Sequence, residues 1–86
     1  MAFKIEQVKR GKRKGQWYYE AFQLSYGLVC GYAITLPEAK VRLAIGEADL
    51  LEHSYPPLVK EAMLADPDRF GRDWPDPPYT AHGATP

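Results

Sequence analysis

The residues best suited to chemistry form a short basic stretch near the start of the chain. Five of the six residues from Lys9 to Lys14 are basic, Gly11 interrupts them, and Gly15 follows. Lysine and arginine bind phosphate through their charge, and neighbouring glycines let a phosphate approach the backbone closely. The predicted nucleic-acid-binding residues are therefore Lys9, Arg10, Lys12, Arg13 and Lys14.

Two other interpretations of the basic stretch remain open. A turn between strands is solvated in any case, and its lysines can serve only solubility and the blocking of edge pairing. The same cations could also bind an acidic protein surface. The charge distribution favours a directed role, since residues 1–20 hold six cations and two anions, whereas residues 21–86 hold five cations and nine anions.

Catalytic chemistry is not indicated. The sequence has no glycine-rich phosphate loop, no Gly-x-Ser-x-Gly motif and no His, Cys, Asp or Glu cluster at clear metal-ligand spacing. Asp49 and His53 lie four residues apart, which is more typical of a solvated helix face than of a ligand pair. We predict a protein that is not an enzyme and has no cofactor, no metal and no small-molecule substrate.

The single cysteine, Cys30, follows Leu28 and Val29 in an apolar run, so we expect a buried thiol. It has no partner for an internal disulfide. No segment approaches about 18 consecutive apolar residues, and no signal-peptide pattern opens the chain. These features predict a cytoplasmic protein with no membrane partner.

Three strands are predicted to position the basic stretch. Residues 2–8 alternate between apolar and polar side chains, residues 16–24 are rich in strand formers, and residues 28–35 form a third such run. The basic stretch then lies in the hairpin loop between the first two strands. Gly31, inside the third strand, indicates a bulge or a close approach of the backbone.

A helix is predicted to follow the third strand. Thr35 and Glu38 form the pattern of a capping box, and Pro37 fits the first turn, where no hydrogen bond is lost. Apolar residues then recur at helical spacing as far as Leu51. Residues 41–45 also alternate, so a fourth strand stays open as the alternative.

The remainder of the chain is predicted to hold one more helix and an arm. The second short helix covers residues 58–65, and residues 66–86 form a Pro-rich extended C-terminal arm without a hydrophobic period. Residues 1–65 are then a single α+β domain: a three-stranded antiparallel β-meander packed on one α-helix, followed by the short helix. The aromatic residues that could anchor the arm are Phe70, Trp74 and Tyr79.

The two faces of the second strand differ in charge. One face carries Trp17, Tyr19 and Ala21, and the other carries Tyr18, Glu20 and Phe22. Burying an unpaired carboxylate is costly, so we predict that the first face packs against the helix. Tyr18 and Phe22 would then be partly exposed and could form a binding surface.

One resemblance rests on the order β-β-β-α and on Gly15-Gln16-Trp17, Gly31-Tyr32 and the segment from Thr35 to Ala39. The chain resembles the DNA-binding domains at the arm-binding end of phage tyrosine integrases, which are related in fold to plant ethylene-response-factor domains. The resemblance implies that the sheet lies in the major groove of DNA. It also implies contacts from Lys12, Arg13 and Lys14.

A second resemblance rests on Tyr18-Tyr19 with Phe22, and again on the segment from Thr35 to Ala39. These residues are similar to the pattern of HicB-type antitoxin domains, which are small and bind a partner protein. Both resemblances cover roughly residues 3–53. The second implies that the partner of this chain is a protein.

The predicted function is that of a small binding protein, encoded by a phage or plasmid, that contacts the nucleic-acid backbone through its basic hairpin. The alternative is a protein-binding inhibitor or adaptor, such as an antitoxin or a phage-encoded anti-CRISPR protein, using exposed aromatics and the C-terminal arm. An accessory domain that folds firmly only in a complex is a third possibility. The predicted protein-binding residues are Tyr18, Phe22, Phe70, Trp74 and Tyr79.

Overall fold

A computed structural model of the chain describes residues 2–24 and 27–72. Three antiparallel strands form one sheet, one long helix packs on it, and two short helices follow, which confirms the predicted α+β architecture. The elements are β1 (Ala2–Gln7), β2 (Trp17–Gln23), β3 (Gly27–Ala33), α1 (Leu36–Leu50), α2 (Pro57–Ala65) and α3 (Pro67–Phe70). No helix in the described ranges is long and apolar enough to cross a membrane.

The sheet has the strand order β1-β2-β3, and its register places Ile5, Tyr19 and Gly31 side by side. Successive side chains of a strand point to opposite faces, so this row and its alternate neighbours share one face. On that face Ile5, Ala21 and Ala33 are buried against α1, with Tyr19 packed beside them. The predicted inward face of β2 is therefore confirmed.

The start of α1 is fixed by the predicted cap. The Glu38 backbone N–H donates to Thr35 Oγ1 at 3.3 Å, and Pro37 occupies the first turn. The Glu38 carboxylate accepts from the backbone N–H of Ile34 at 2.8 Å, one residue before the position that a regular capping box uses. The helix then continues through residues 41–45, so the alternative of a fourth strand is wrong.

Helix α1 is buried on two sides, which makes it the central element of the fold. Its side toward the sheet contributes Ala39, Leu43 and Leu50 to one apolar cluster. Its other side contributes Val41 and Ala44 to a second cluster, which includes Met63 from α2 and the partly buried Phe70 from α3. The sheet and the two short helices are therefore held together through α1.

The segment after α2 differs from the extended arm that the sequence predicts. Asp66 ends α2 as expected, but its carboxylate also accepts from the Arg69 backbone N–H at 3.4 Å, and Pro67 occupies the first turn of α3. An aspartate before a proline is a regular helix-start signal. At Asp66-Pro67 this signal marks the start of the helical turn α3. Trp74 and Tyr79 lie outside the described residues.

The expectation of a buried thiol at Cys30 is wrong. Cys30 is exposed, because its register partner is Glu20 on the outward face of β2. The inward residues of β3 are its neighbours Val29 and Gly31. An apolar run in a sheet that is covered on one side can therefore place a cysteine in solvent.

Two glycines mark the tightest approaches to the inner face of the sheet. A Cβ atom on Gly31 would lie 2.6 Å from the Tyr19 hydroxyl, so the tyrosine ring covers this glycine. A Cβ atom on Gly46 of α1 would lie 2.6 Å from Val29 Cγ1. Gly31 therefore leaves room for a side chain, and the regular register with Tyr19 shows no bulge there, whereas Gly46 lets α1 lie directly on β3.

The Gly46→Ala substitution should therefore destabilise the protein. On an exposed helix the change would raise the free energy of unfolding by about 1 kcal/mol, but here overpacking against Val29 should lower it by about 1–3 kcal/mol. In a Val29→Ala background the 2.6 Å contact with Cγ1 is removed and only the 3.3 Å contact with Cβ remains, so Gly46→Ala should be far less destabilising. Urea denaturation of the four proteins measures this cycle. Equal destabilisation in both backgrounds would contradict the close packing.

The exposed position of Cys30 predicts full reactivity in the folded protein. An aromatic disulfide reagent should label the thiol without denaturant, and urea below the unfolding transition should accelerate the reaction little. A buried thiol would instead react only as fast as the structure opens. Labelling that awaits global unfolding would show that Cys30 is covered.

Candidate nucleic-acid interface

The connection between β1 and β2 is a closed hairpin loop that carries the basic tip, defined here as residues 9–14. The Val8 backbone N–H donates to Gln16 O at 2.9 Å, and the Gly15 N–H donates to Val8 O at 2.9 Å. Gly11 and Gly15 have φ angles of 84° and 92°, which side-chain-bearing residues rarely adopt. The loop therefore turns within a few residues and holds the cations at one end of the sheet.

The structure brings all five predicted cations together in solvent. Lys9, Arg10, Lys12, Arg13 and Lys14 are all exposed. None of the described carboxylates forms an ion pair with any of them. Arg13 alone is oriented by its neighbours, since its guanidinium donates to Gln16 Oε1 at 3.4 Å. The basic tip is a concentration of positive charge that the described part of the protein does not neutralise.

Beside the tip lies the outer sheet face, the face of the sheet that points away from α1. Its described side chains are Lys4, Glu6, Tyr18, Glu20, Phe22, Leu28, Cys30 and Tyr32. Three of its large apolar or aromatic residues are well exposed, at 39% for Phe22, 54% for Leu28 and 44% for Tyr32. None of the described helices lies on this face, since α1 packs on the opposite one.

The tip and the outer sheet face meet at a pair of aromatic rings. Tyr18 and Tyr32 are register partners, and their ring centroids lie 5.4 Å apart at an angle of 56°. The Arg13 guanidinium carbon lies 4.3 Å from the centroid of the Tyr32 ring, and Lys4 Nζ lies 5.8 Å from that of Tyr18. These are distances at which a cation is attracted to an aromatic face. One continuous surface therefore combines cations with aromatic rings.

Carboxylates are also part of this face. The Tyr18 hydroxyl donates to Glu20 Oε1 at 2.6 Å, and this hydrogen bond, together with partial burial, raises the pKa of Tyr18 above its ordinary value. Lys4 forms an ion pair with Glu6 at 3.4 Å. The placement of Glu20 here agrees with the expectation that its carboxylate avoids the core.

An open groove of about 920 Å³ runs along this end of the sheet. Its walls include Trp17, Tyr18 and Tyr32, together with Lys9 and Arg10 from the basic tip. The volume lies within the range of about 300–1,000 Å³ that is usual for ligand sites. Glu6 lines the groove as well, so aromatic surface, two cations and one carboxylate lie in the same place.

The predicted protein-binding residues that the structure describes do not lie together. Tyr18 and Phe22 lie on the outer sheet face. Phe70 packs instead against the second apolar cluster, so it anchors its segment to the domain, which is one of the two roles predicted for it. Tyr32 and Lys4 are not among the residues that the sequence predicts for binding, yet both belong to the surface. The alternation of β1 puts Lys4 there once Phe3 and Ile5 face inward, whereas the position of Tyr32 follows only from the register of β3 against β2.

No group of three or more His, Cys, Asp or Glu in the described ranges is arranged to hold a metal ion. In comparisons with known proteins, the chain matches no protein-family model, no curated protein and no solved structure.

The Tyr18–Glu20 hydrogen bond predicts a tyrosine that resists ionisation. Because its pKa is raised in the folded state, the bond stabilises the fold below pH 10 or so, and this stabilisation is lost as the pH rises through the higher folded value. At about pH 11, Tyr18→Phe should leave the phenolate absorbance almost unchanged. In a Glu20→Gln background, Tyr18→Phe should lower the phenolate absorbance by the contribution of one tyrosine. Circular dichroism at the same pH checks that each variant is folded. The same decrease in the wild-type background would contradict the bond.

Proposed function

We propose that the protein is a non-enzymatic nucleic-acid-binding domain that contacts the phosphate backbone through its basic tip. The observation that carries this proposal is the set of five exposed cations without an ion pair to any described carboxylate. Lysine and arginine in solvent at a loop tip can each reach a different phosphate. Binding then gains from the release of the counterions that those phosphates held.

The form of the loop supports phosphate binding over simple solubility. Gly11 and Gly15 have no heavy atom within 4 Å of a hypothetical Cβ, so the backbone is open on their side. A phosphate could therefore approach the main chain as well as the side chains. Blocking edge pairing needs only a charge or two, and five cations in six residues exceed that need.

The overall charge also supports a directed contact. The whole chain has a net charge of zero, so the positive end is balanced by an acidic remainder. A polyanion would be attracted to the tip and repelled from the rest, which orients the protein as it approaches. Such a domain would bind through one end rather than coat nucleic acid indiscriminately.

A second candidate function, the protein-binding inhibitor or adaptor, is favoured by the opposite end of the sheet. There Phe22 and Leu28 are register partners, and Leu24 beside them is 87% exposed. Exposed apolar residues that lie together are typical of protein contacts. A partner bound there would interact with weak salt dependence and would not require the basic tip.

Salt titration separates the two functions. Wild-type protein should bind a labelled duplex of about 20 base pairs with a log–log salt slope near −4, because four or five phosphates are neutralised. Lys12→Ala, Arg13→Ala and Lys14→Ala together should remove three of those contacts and flatten the slope to roughly −1 to −2. Fluorescence polarisation between about 50 and 200 mM salt measures both proteins.

The matched control removes three cations elsewhere, by Lys60→Ala, Arg69→Ala and Arg72→Ala. This control changes the net charge by the same three units as the tip variant. It leaves the basic tip intact, because the three residues lie on or after α2. The control should bind with the slope of wild type. If both triple variants weaken binding equally, binding depends on net charge and not on the tip. If wild type binds weakly and without salt dependence, and neither variant changes this, the tip is not a phosphate contact.

A further inference from the structure

The outer sheet face identifies the kind of nucleic acid more closely. Resting on the proposed function, we infer that the ligand is a single strand whose backbone follows the basic tip and whose bases stack on the aromatic residues of the outer sheet face. Tyr32 is the central stacking residue. Tyr18 stands beside it, and Phe22 offers a second position farther along the sheet.

The outer sheet face carries few side chains that could contact base edges in the groove of a duplex. Reading base edges in the major groove requires arginine, lysine, asparagine or glutamine side chains that point into it. Among the described side chains of the outer sheet face, Lys4 is the only one of these types, and it is paired with Glu6. Glu6 and Glu20 would also be brought between two lines of phosphates. The face is therefore poorly matched to the groove of a duplex.

The outer sheet face is better suited to a single strand, whose bases are free to stack on aromatic rings. Base stacking uses flat aromatic surface, and it is tolerant of sequence because every base has such a surface. Tyr32 is 44% exposed, and Phe22 is 39% exposed. The carboxylates then lie near bases rather than phosphates, where a carboxylate oxygen can accept a hydrogen bond from an amino group.

The position of the cations also fits one strand. All five lie at one end of the sheet, whereas a duplex laid on a flat face presents a backbone on each side. The Arg13 guanidinium lies 4.3 Å from the centroid of the Tyr32 ring and covers part of it, so a base would stack on the part of the ring that stays exposed, next to a cation that can hold a phosphate. A backbone held by the tip therefore has its nearest bases within reach of Tyr32.

The groove beside the tip provides the path. Trp17, Tyr18 and Tyr32 line it together with Lys9 and Arg10, and it is open to solvent rather than enclosed. An open groove accepts a continuous chain, whereas a closed cavity accepts only an end or a free nucleotide. Phe22 lies four residues from Tyr18 along β2, roughly 13 Å at the rise of a strand, which extends the stacking surface along the sheet.

The test compares a labelled oligothymidine of about 20 nucleotides with a duplex of the same length, using the full chain. Wild type should bind the single strand more tightly. Tyr32→Leu should weaken single-strand binding roughly 5- to 100-fold, the effect of losing one stacked base, while leaving the salt slope unchanged. Tyr32→Phe keeps the ring and should bind like wild type.

Tyr55→Leu is the matched control, since Tyr55 is 36% exposed and lies in the connection between α1 and α2 rather than on a strand. Thermal melting confirms that each variant is folded. Duplex binding equal to or tighter than single-strand binding, or equal effects of Tyr32→Leu and Tyr55→Leu, would overturn the single-strand inference while the basic tip still binds phosphates. Absence of salt-dependent binding to either oligonucleotide would refute the proposed function itself.

Discussion

The packing of α1 against one face of the sheet is the contact on which the rest of the structure depends. Small residues make it close: Ala21 is fully buried in the centre of the sheet, and Gly46 allows the helix to meet Val29. The other side of α1 holds the two short helices. Because this single helix covers only one face, every outward side chain of the three strands is left without a described covering element.

The surface properties follow from that arrangement. Because Trp17 and Tyr19 lie on the face that packs against the core, strand alternation places Tyr18 on the outer face. The antiparallel register then sets Tyr32 beside Tyr18. The same β1–β2 pairing ends in a tight loop, so the cations gather next to those rings. The aromatic and basic groups are thus neighbours because of the sheet, although Arg13 and Tyr32 lie far apart in sequence.

Much of this could be predicted from local patterns. The charge of Glu20 identified the inner face of β2, and Thr35 with Glu38 located the start of α1. Cys30 and Tyr32 required the register of β3, which an apolar run does not reveal. Asp66-Pro67 both ends one helix and starts another, and only the contact of Phe70 with the second cluster shows that the chain turns back. Local signals failed where pairing or tertiary contact decided the outcome.

The basic tip and the outer sheet face differ in the ligand groups that they can bind, and together they limit the kinds of ligand that fit the surface. The basic tip attracts any polyanion, but the adjacent face carries Glu20 without a cationic partner among the described residues, besides Glu6 paired with Lys4, and it repels a polyanion that lies flat across it. A ligand that satisfies both must keep its negative groups at the tip and present uncharged flat groups to Tyr32 and Phe22. A single nucleic-acid strand separates phosphates from bases in this way, whereas a duplex keeps its bases inside and its phosphates outside. In the proposed complex the carboxylates would therefore disfavour a duplex on the same surface to which the cations attract nucleic acid.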